Sequence, residues 1–148
     1  MKTTIFIATA LLLIVLGGCT KPEAEGGTSV FIPQDTNTNF VLYVSNQSFA
    51  LTPVDITITI DGKKVISSTF EVGEGKRRQH NWISHGFDLT PGTHKLEAVS
   101  AKGDAKFEKE FEIKDEKHWA VLSYWYYPDQ DGKKHFTFQI QNEQIYFK

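Results

Sequence analysis

The side chains able to do chemistry in this chain are few and scattered. There is one cysteine, Cys19, and there are five histidines: His80, His85, His94, His118 and His135. A thiolate can attack or ligate, and an imidazole can act as base or metal ligand. No two histidines stand at i, i+2 on one strand. His80 and His85 are five apart, so a regular strand turns them to opposite faces. Ser84-His85 with Asp88 brings nucleophile, base and acid close in sequence. Neighbouring strand residues point to opposite faces, however, which keeps Ser84 from His85. Asp129-Gln130-Asp131-Gly132 suggests a calcium loop, but setting Gly132 at the sixth position puts Tyr127 first and Phe138 twelfth, where oxygen ligands are required. It is read as a turn. Gly-x-Ser-x-Gly and His-Glu-x-x-His are absent, and no glycine-rich loop opens a helix. No catalytic set, no metal site and no cofactor is expected. The contrary reading, an enzyme or a metal-handling protein, requires His85 or His94 to meet acids supplied by other strands.

The stretch that invites contact with something else is His118-Trp119-Ala120-Val121-Leu122-Ser123-Tyr124-Trp125-Tyr126-Tyr127. If it forms a hairpin with residues 134–141 across the turn at 128–132, with Trp125 opposite His135, one face carries Ala120, Leu122, Tyr124, Phe136, Phe138 and Ile140. The other carries Trp119, Val121, Ser123, Trp125, His135, Thr137 and Gln139. The first set makes a core face. The second, with two indoles, one imidazole and several hydroxyl or amide groups, suits a sugar ring or a peptide, because Trp and Tyr are the usual anchors at interfaces. Trp119, Trp125 and His135 are the candidate contact residues. The alternative is that this face is covered by the chain itself, through Val30-Phe31-Ile32 or Ile145-Tyr146-Phe147. A one-residue slip in register would exchange the two faces.

The elements that must hold these residues read as strands throughout. Phe40-Val41-Leu42-Tyr43-Val44 is β-branched and aromatic. Val54-Asp55-Ile56-Thr57-Ile58-Thr59-Ile60 alternates apolar with polar, the mark of a half-buried strand. Asp61-Gly62 follows at once and signals a tight hairpin into a strand over 64–72. Further strands are expected over 82–89, 94–100, 118–126 and 134–141. Residues 104–113 are rich in Lys and Glu, which favour helix. Yet Ala105, Phe107, Phe111 and Ile113 fit a period of two, with Glu108, Glu110 and Glu112 opposite, so a strand is predicted there. Ile145-Tyr146-Phe147 is expected to add a short edge. Seven or eight short strands with a turn about every ten residues predict an all-β fold, a single antiparallel β-sandwich over residues 39–148.

The strand lengths and the run Pro91-Gly92-Thr93-His94-Lys95-Leu96 resemble immunoglobulin-like or prealbumin-like modules, in which a Gly-x-His/Tyr-x-Leu run enters a core strand. The resemblance is one of fold and carries no functional residue across. The Cys…Trp…Cys set of antibody domains is absent.

The N-terminus carries an address. Met1-Lys2 supplies one positive charge, and the twelve residues from Ile5 to Leu16 are almost all apolar. That is too short for a membrane-spanning helix, which needs about 20 apolar residues, and right for a secretory leader. Leu16-Gly17-Gly18-Cys19 then resembles the lipobox of bacterial lipoproteins at all four positions. The resemblance implies cleavage between Gly18 and Cys19, a diacylglycerol on the Cys19 thiol and, often, acylation of the new N-terminus, palmitate being one such chain. Two or more acyl chains anchor a protein stably where one does not. By the same resemblance Thr20, in place of Asp, favours the outer membrane in a Gram-negative cell. Residues 1–18 are thus the leader and 19–38 a lipidated cysteine with a Gly-, Pro- and Thr-rich tether, whose reach is roughly 20–25 Å by random-coil scaling.

Lys2 leaves with the leader, so 15 basic residues stand against 18 acidic ones and the mature formal charge is −3. Such a chain offers no electrostatic reason to bind nucleic acid, and Lys76-Arg77-Arg78 is too short a basic run to make one. With its only cysteine committed to lipid, the domain must be held by its core rather than by disulfides. The expected function is a lipid-anchored, extracytoplasmic, non-catalytic binding or assembly module of the cell envelope, its partner an envelope protein or a glycan.

Overall fold

The computed structural model describes residues 38–73 and 81–147. Cys19, the leader, the tether up to residue 37, Lys76-Arg77-Arg78 and His80 lie outside the described residues. Among the described residues there are eight strands and no helix: β1 (Phe40–Asn46), β2 (Val54–Ile60), β3 (Lys63–Phe70), β4 (Ile83–Phe87), β5 (Gly92–Ser100), β6 (Ala105–Ile113), β7 (His118–Tyr126) and β8 (Lys134–Gln141). They form two four-stranded sheets. Sheet A has the order β4-β1-β7-β8 and sheet B the order β3-β2-β5-β6.

Three hairpins account for most of the pairing. In β2–β3 the turn residues Asp61 and Gly62 both have positive φ, 51° and 76°, as a type I′ turn requires. In β5–β6 every residue from Gly92 to Ser100 has a partner between Ile113 and Ala105. That pairing settles β6 as a strand, because the tertiary partner overrides the helical bias of its Lys and Glu residues. In β7–β8 the register is Trp125↔His135, Tyr124↔Phe136, Leu122↔Phe138 and Ala120↔Ile140, as the alternation of the two segments predicts.

Two expectations need correction. The fold is not wholly antiparallel: β1 runs parallel to β7, from Phe40↔His118 to Asn46↔Tyr124, while pairing antiparallel with β4. Both neighbours of β1 are remote in sequence, so no local turn dictates its direction. Ile145-Tyr146-Phe147 adds no strand; the chain after β8 instead folds back over the outer face of sheet A. Two segments are also trimmed. The strand expected over 82–89 covers only Ile83–Phe87, and the one over 64–72 ends at Phe70.

The core lies between the sheets. Phe40, Leu42, Val44, Ala120, Leu122, Tyr124 and Phe136 come from sheet A, and Val54, Ile56, Ile58, Leu96, Ala98, Phe111 and Ile113 from sheet B. Each fully buried Val, Leu, Ile or Phe contributes about 1.5–3 kcal/mol of transfer free energy, which is how a domain without disulfides holds together. Phe40 stacks on Phe111 across the gap at 5.2 Å, and Phe138 reaches Phe107 and Phe111 at 6.2 and 5.8 Å. These rings join the β6 and β8 sides of the two layers.

Buried polar side chains pin the connections. The Asn39 amide donates to the Leu89 carbonyl at 2.6 Å and its oxygen accepts the Leu89 N–H at 2.9 Å, so a side chain extends the β1–β4 ladder by one rung. Fully buried Asn46 donates to the Leu51 carbonyl and accepts from the Ser48 N–H, shaping the exit from β1. The Asp55 carboxylate collects the Ser100 hydroxyl and the backbone N–H groups of Ala101 and Lys102 at 2.8–3.0 Å. Burial works to raise its pKa, but these donors outweigh that and hold it below the ordinary value.

Candidate functional site: a groove on the outer face of sheet A

Strand alternation places Val41, Tyr43 and Ser45 of β1 on the face of sheet A opposite the core. Their pairing partners put Trp119, Val121 and Ser123 of β7 beside them, and Thr137, Gln139 and Gln141 of β8 beyond those. Trp125 and His135 make the last rung. A surface of this kind would ordinarily be solvated, yet Val41, Tyr43, Ser45 and Ser123 are buried.

Part of the cover is the segment after β8. Gln141 donates to the Glu143 carbonyl at 2.9 Å and Asn142 to the Glu116 carboxylate at 3.3 Å, which turns the chain back. Phe147 then lies flat on Trp82, with ring centroids 4.1 Å apart and planes 15° from parallel, and meets Tyr43 edge-on at 5.0 Å. Tyr146 is 77% exposed and donates to the Gln144 side-chain oxygen at 3.2 Å. On the other edge of the sheet, Thr38 sits over Gly86, where a Cβ would come within 2.8 Å of the Thr38 hydroxyl.

Between this returning segment and strands β7 and β8 runs a groove of about 410 Å³. Trp125, Ser123 and Val121 form its floor with Thr137, Gln139 and Gln141. Trp82, Gln144, Ile145, Tyr146 and Phe147 form the facing wall. The Trp125 indole N–H donates to the Thr137 hydroxyl at 2.8 Å, and its ring lies 5.9 Å from that of Tyr127. Its orientation is therefore set before any ligand arrives. Ser123 accepts from Ser45 at 3.3 Å, and Ser45 in turn accepts from the Gln47 amide at 2.8 Å. Gln139 is exposed and its amide has no partner among the described residues.

The three candidate contact residues are thus separated. Trp125 lines the groove. His135 pairs opposite it and is exposed, but lies outside the lining. Trp119 stands at the far end of β7, half-buried beneath the Lys117 ammonium at 5.7 Å, and its indole N–H is buried without an acceptor. Trp82 and the wall from Gln144 to Phe147 were not singled out as site residues. Their aromatic content was visible, but nothing local says which face a chain end will cover. Of the two segments offered as covers, Ile145-Tyr146-Phe147 does cover part of this face, and Val30-Phe31-Ile32 lies outside the described residues.

Among the described histidines, His94 does meet an acid from elsewhere. Its Nδ1 lies 2.6 Å from the Asp61 carboxylate and its Nε2 2.7 Å from the Thr90 carbonyl. Both partners are acceptors, so it is the protonated ring that satisfies both. Burial works to lower its pKa; the Thr90 carbonyl and the Asp61 carboxylate outweigh it and raise it. Asp61 also accepts the Lys95 N–H at 2.9 Å, which with His94 keeps its own pKa low. With both ring nitrogens engaged, the pair ties the β2–β3 turn to β5. His85 pairs beside core-facing Leu42, and Ser84 beside outward-facing Tyr43, so the two point to opposite faces as their adjacency requires. The His85 Nε2 is buried without a partner, and burial lowers its pKa. Among the described residues no three His, Cys, Asp or Glu side chains gather as a metal would need. Compared with known proteins, the chain matches no protein-family model and no curated protein.

Proposed function

We propose that this chain is a bacterial lipoprotein whose domain is a non-catalytic binding module of the cell envelope, with the groove on sheet A as its binding site. The observation that carries the reading is the groove itself: a preset indole and the exposed Gln139 amide lie on a sheet face that the chain covers only in part. Concave sites with a mainly apolar lining and a few placed polar groups are where ligands bind. The anchor rests on Leu16-Gly17-Gly18-Cys19, with cleavage after Gly18 and diacylglycerol on Cys19. On that reading the domain stands outside the cytoplasm on a tether, at the outer membrane if the cell is Gram-negative. Its eight strands in two sheets are read as an immunoglobulin-like or prealbumin-like sandwich, on the run from Pro91 to Leu96 that enters β5.

Two experiments test this. Cells fed labelled palmitate should label the wild type and not Cys19→Ala, and the variant should leave the membrane fraction; a labelled variant would remove the anchor. Crosslinking in intact cells followed by mass spectrometry should recover a partner that Trp125→Ala loses while its circular dichroism and melting are retained. A partner list unchanged by Trp125→Ala would remove the groove as the site.

A further inference from the structure

Among the described residues the lining of the groove is uncharged, and that is unusual on this chain. Asp, Glu, Lys and Arg make up 23% of the sequence, so a lining of eleven residues would carry two or three by chance; it carries none. What it carries instead are aromatic rings and groups that both donate and accept. The amides of Gln139 and Gln141 and the hydroxyls of Ser123 and Thr137 each offer both roles. From these features we infer that the groove takes a neutral carbohydrate chain. This rests on the reading of the groove as the binding site.

A sugar ring presents an apolar C–H face and a rim of hydroxyls that also donate and accept. The open face of the Trp125 ring matches the first, and the β8 amides match the second. An anionic ligand would call for Arg or Lys, which recognise phosphate and carboxylate, and the lining holds neither among the described residues. A peptide adding a strand would dock along the outer edge of β8, the last strand of sheet A, whereas the floor of the groove is the face of the β7–β8 pair. Because the Trp125 N–H is already engaged by Thr137, its ring is held in place and little ordering cost remains on binding. From Trp125 to Val121 the floor runs about 13 Å at the rise of a strand, room for more than one ring. Tyr146, standing exposed on the wall, supplies a second aromatic surface across from the first.

The test uses the full chain in detergent micelles, titrated with cello-, chito-, xylo- and maltohexaose, and with polygalacturonate as the anionic counterpart, while tryptophan fluorescence is followed. A saturable response to at least one neutral hexasaccharide is expected, weakened about tenfold or more by Trp125→Ala, as for a central aromatic anchor. Gln139→Leu changes an exposed side chain and should weaken the same response, which keeps the test valid if Trp125→Ala fails to fold. A response to polygalacturonate alone overturns the inference. So does silence with all the saccharides; if a Trp125-dependent crosslinked partner is then still recovered, only the ligand class is wrong and the groove stands. Saccharide binding unaffected by both substitutions overturns the groove as well.

Discussion

The Tyr124 hydroxyl donates to the Gly103 carbonyl at 2.9 Å, and so ties the middle of sheet A to the β5–β6 turn of sheet B. Tyr124 is fully buried among core side chains, and burial, the first cause, pushes its pKa up to about 12. Tyr124→Phe keeps the ring and removes the donor, leaving a buried carbonyl without it. The expected cost is about 1–3 kcal/mol, read from the shift in urea midpoint at constant slope. The raised pKa carries its own sign. The neutral phenol is favoured by folding, so that stability is whole below pH 10 and is lost as pH rises toward 12.

The same contact has a steric side. A Cβ on Gly103 would meet the Ser100 hydroxyl at 2.5 Å, the Tyr124 ring at 2.7 Å and a Val54 methyl at 2.9 Å. Three walls from three strands cannot all retreat. Gly103→Ala should destabilise by about 1–3 kcal/mol or more, as overpacking does. Thermal melting checks it, and an unchanged melting temperature would mean the turn is looser than the structure has it.

His85 and His94 should shape opposite limbs of the stability profile. The His94 pKa is raised on folding, so its contribution is whole below the ordinary value of 6.5 and is lost as pH rises through the folded pKa. The His85 pKa is lowered, so its contribution is whole above 6.5 and is lost as pH falls through the folded pKa. Maximum stability is therefore expected near pH 6.5. Asp61→Asn should flatten the alkaline limb and His85→Phe the acid limb, each leaving the other in place, as measured by denaturant melts from pH 5 to 8.

Phe147 closes one end of the outer face by stacking on Trp82. Phe147→Ala should cost about 0.5–1.5 kcal/mol, the value of an aromatic pair beyond its buried area, and should red-shift tryptophan emission as Trp82 meets water. An unshifted spectrum with unchanged stability would show that the segment after β8 does not rest there in solution.

Much of this fold is legible in the chain because it is set locally. The β2–β3 hairpin follows from perfect alternation ending in Asp61-Gly62, the one pair of residues there able to hold positive φ cheaply. The β7–β8 register follows because turn length and a buried face together leave a single alignment; a slip by one would expose Tyr124 and Phe136 to water. The strand over Ala105–Ile113 was legible for the same reason, its apolar spacing prevailing over its helical composition. Local patterning also isolates Trp119, Trp125 and His135 on one face.

Only tertiary structure decided the rest. The entry of β1 between β4 and β7 joins it to partners 39 to 78 residues away, and alternation says which face a strand buries but not which strand it lies beside or in which direction. The meeting of Asp61 with His94 and the return of Phe147 onto Trp82 are both long-range. Each is fixed by how two sheets settle against a shared core, and that packing depends on the summed shape of side chains from every strand at once.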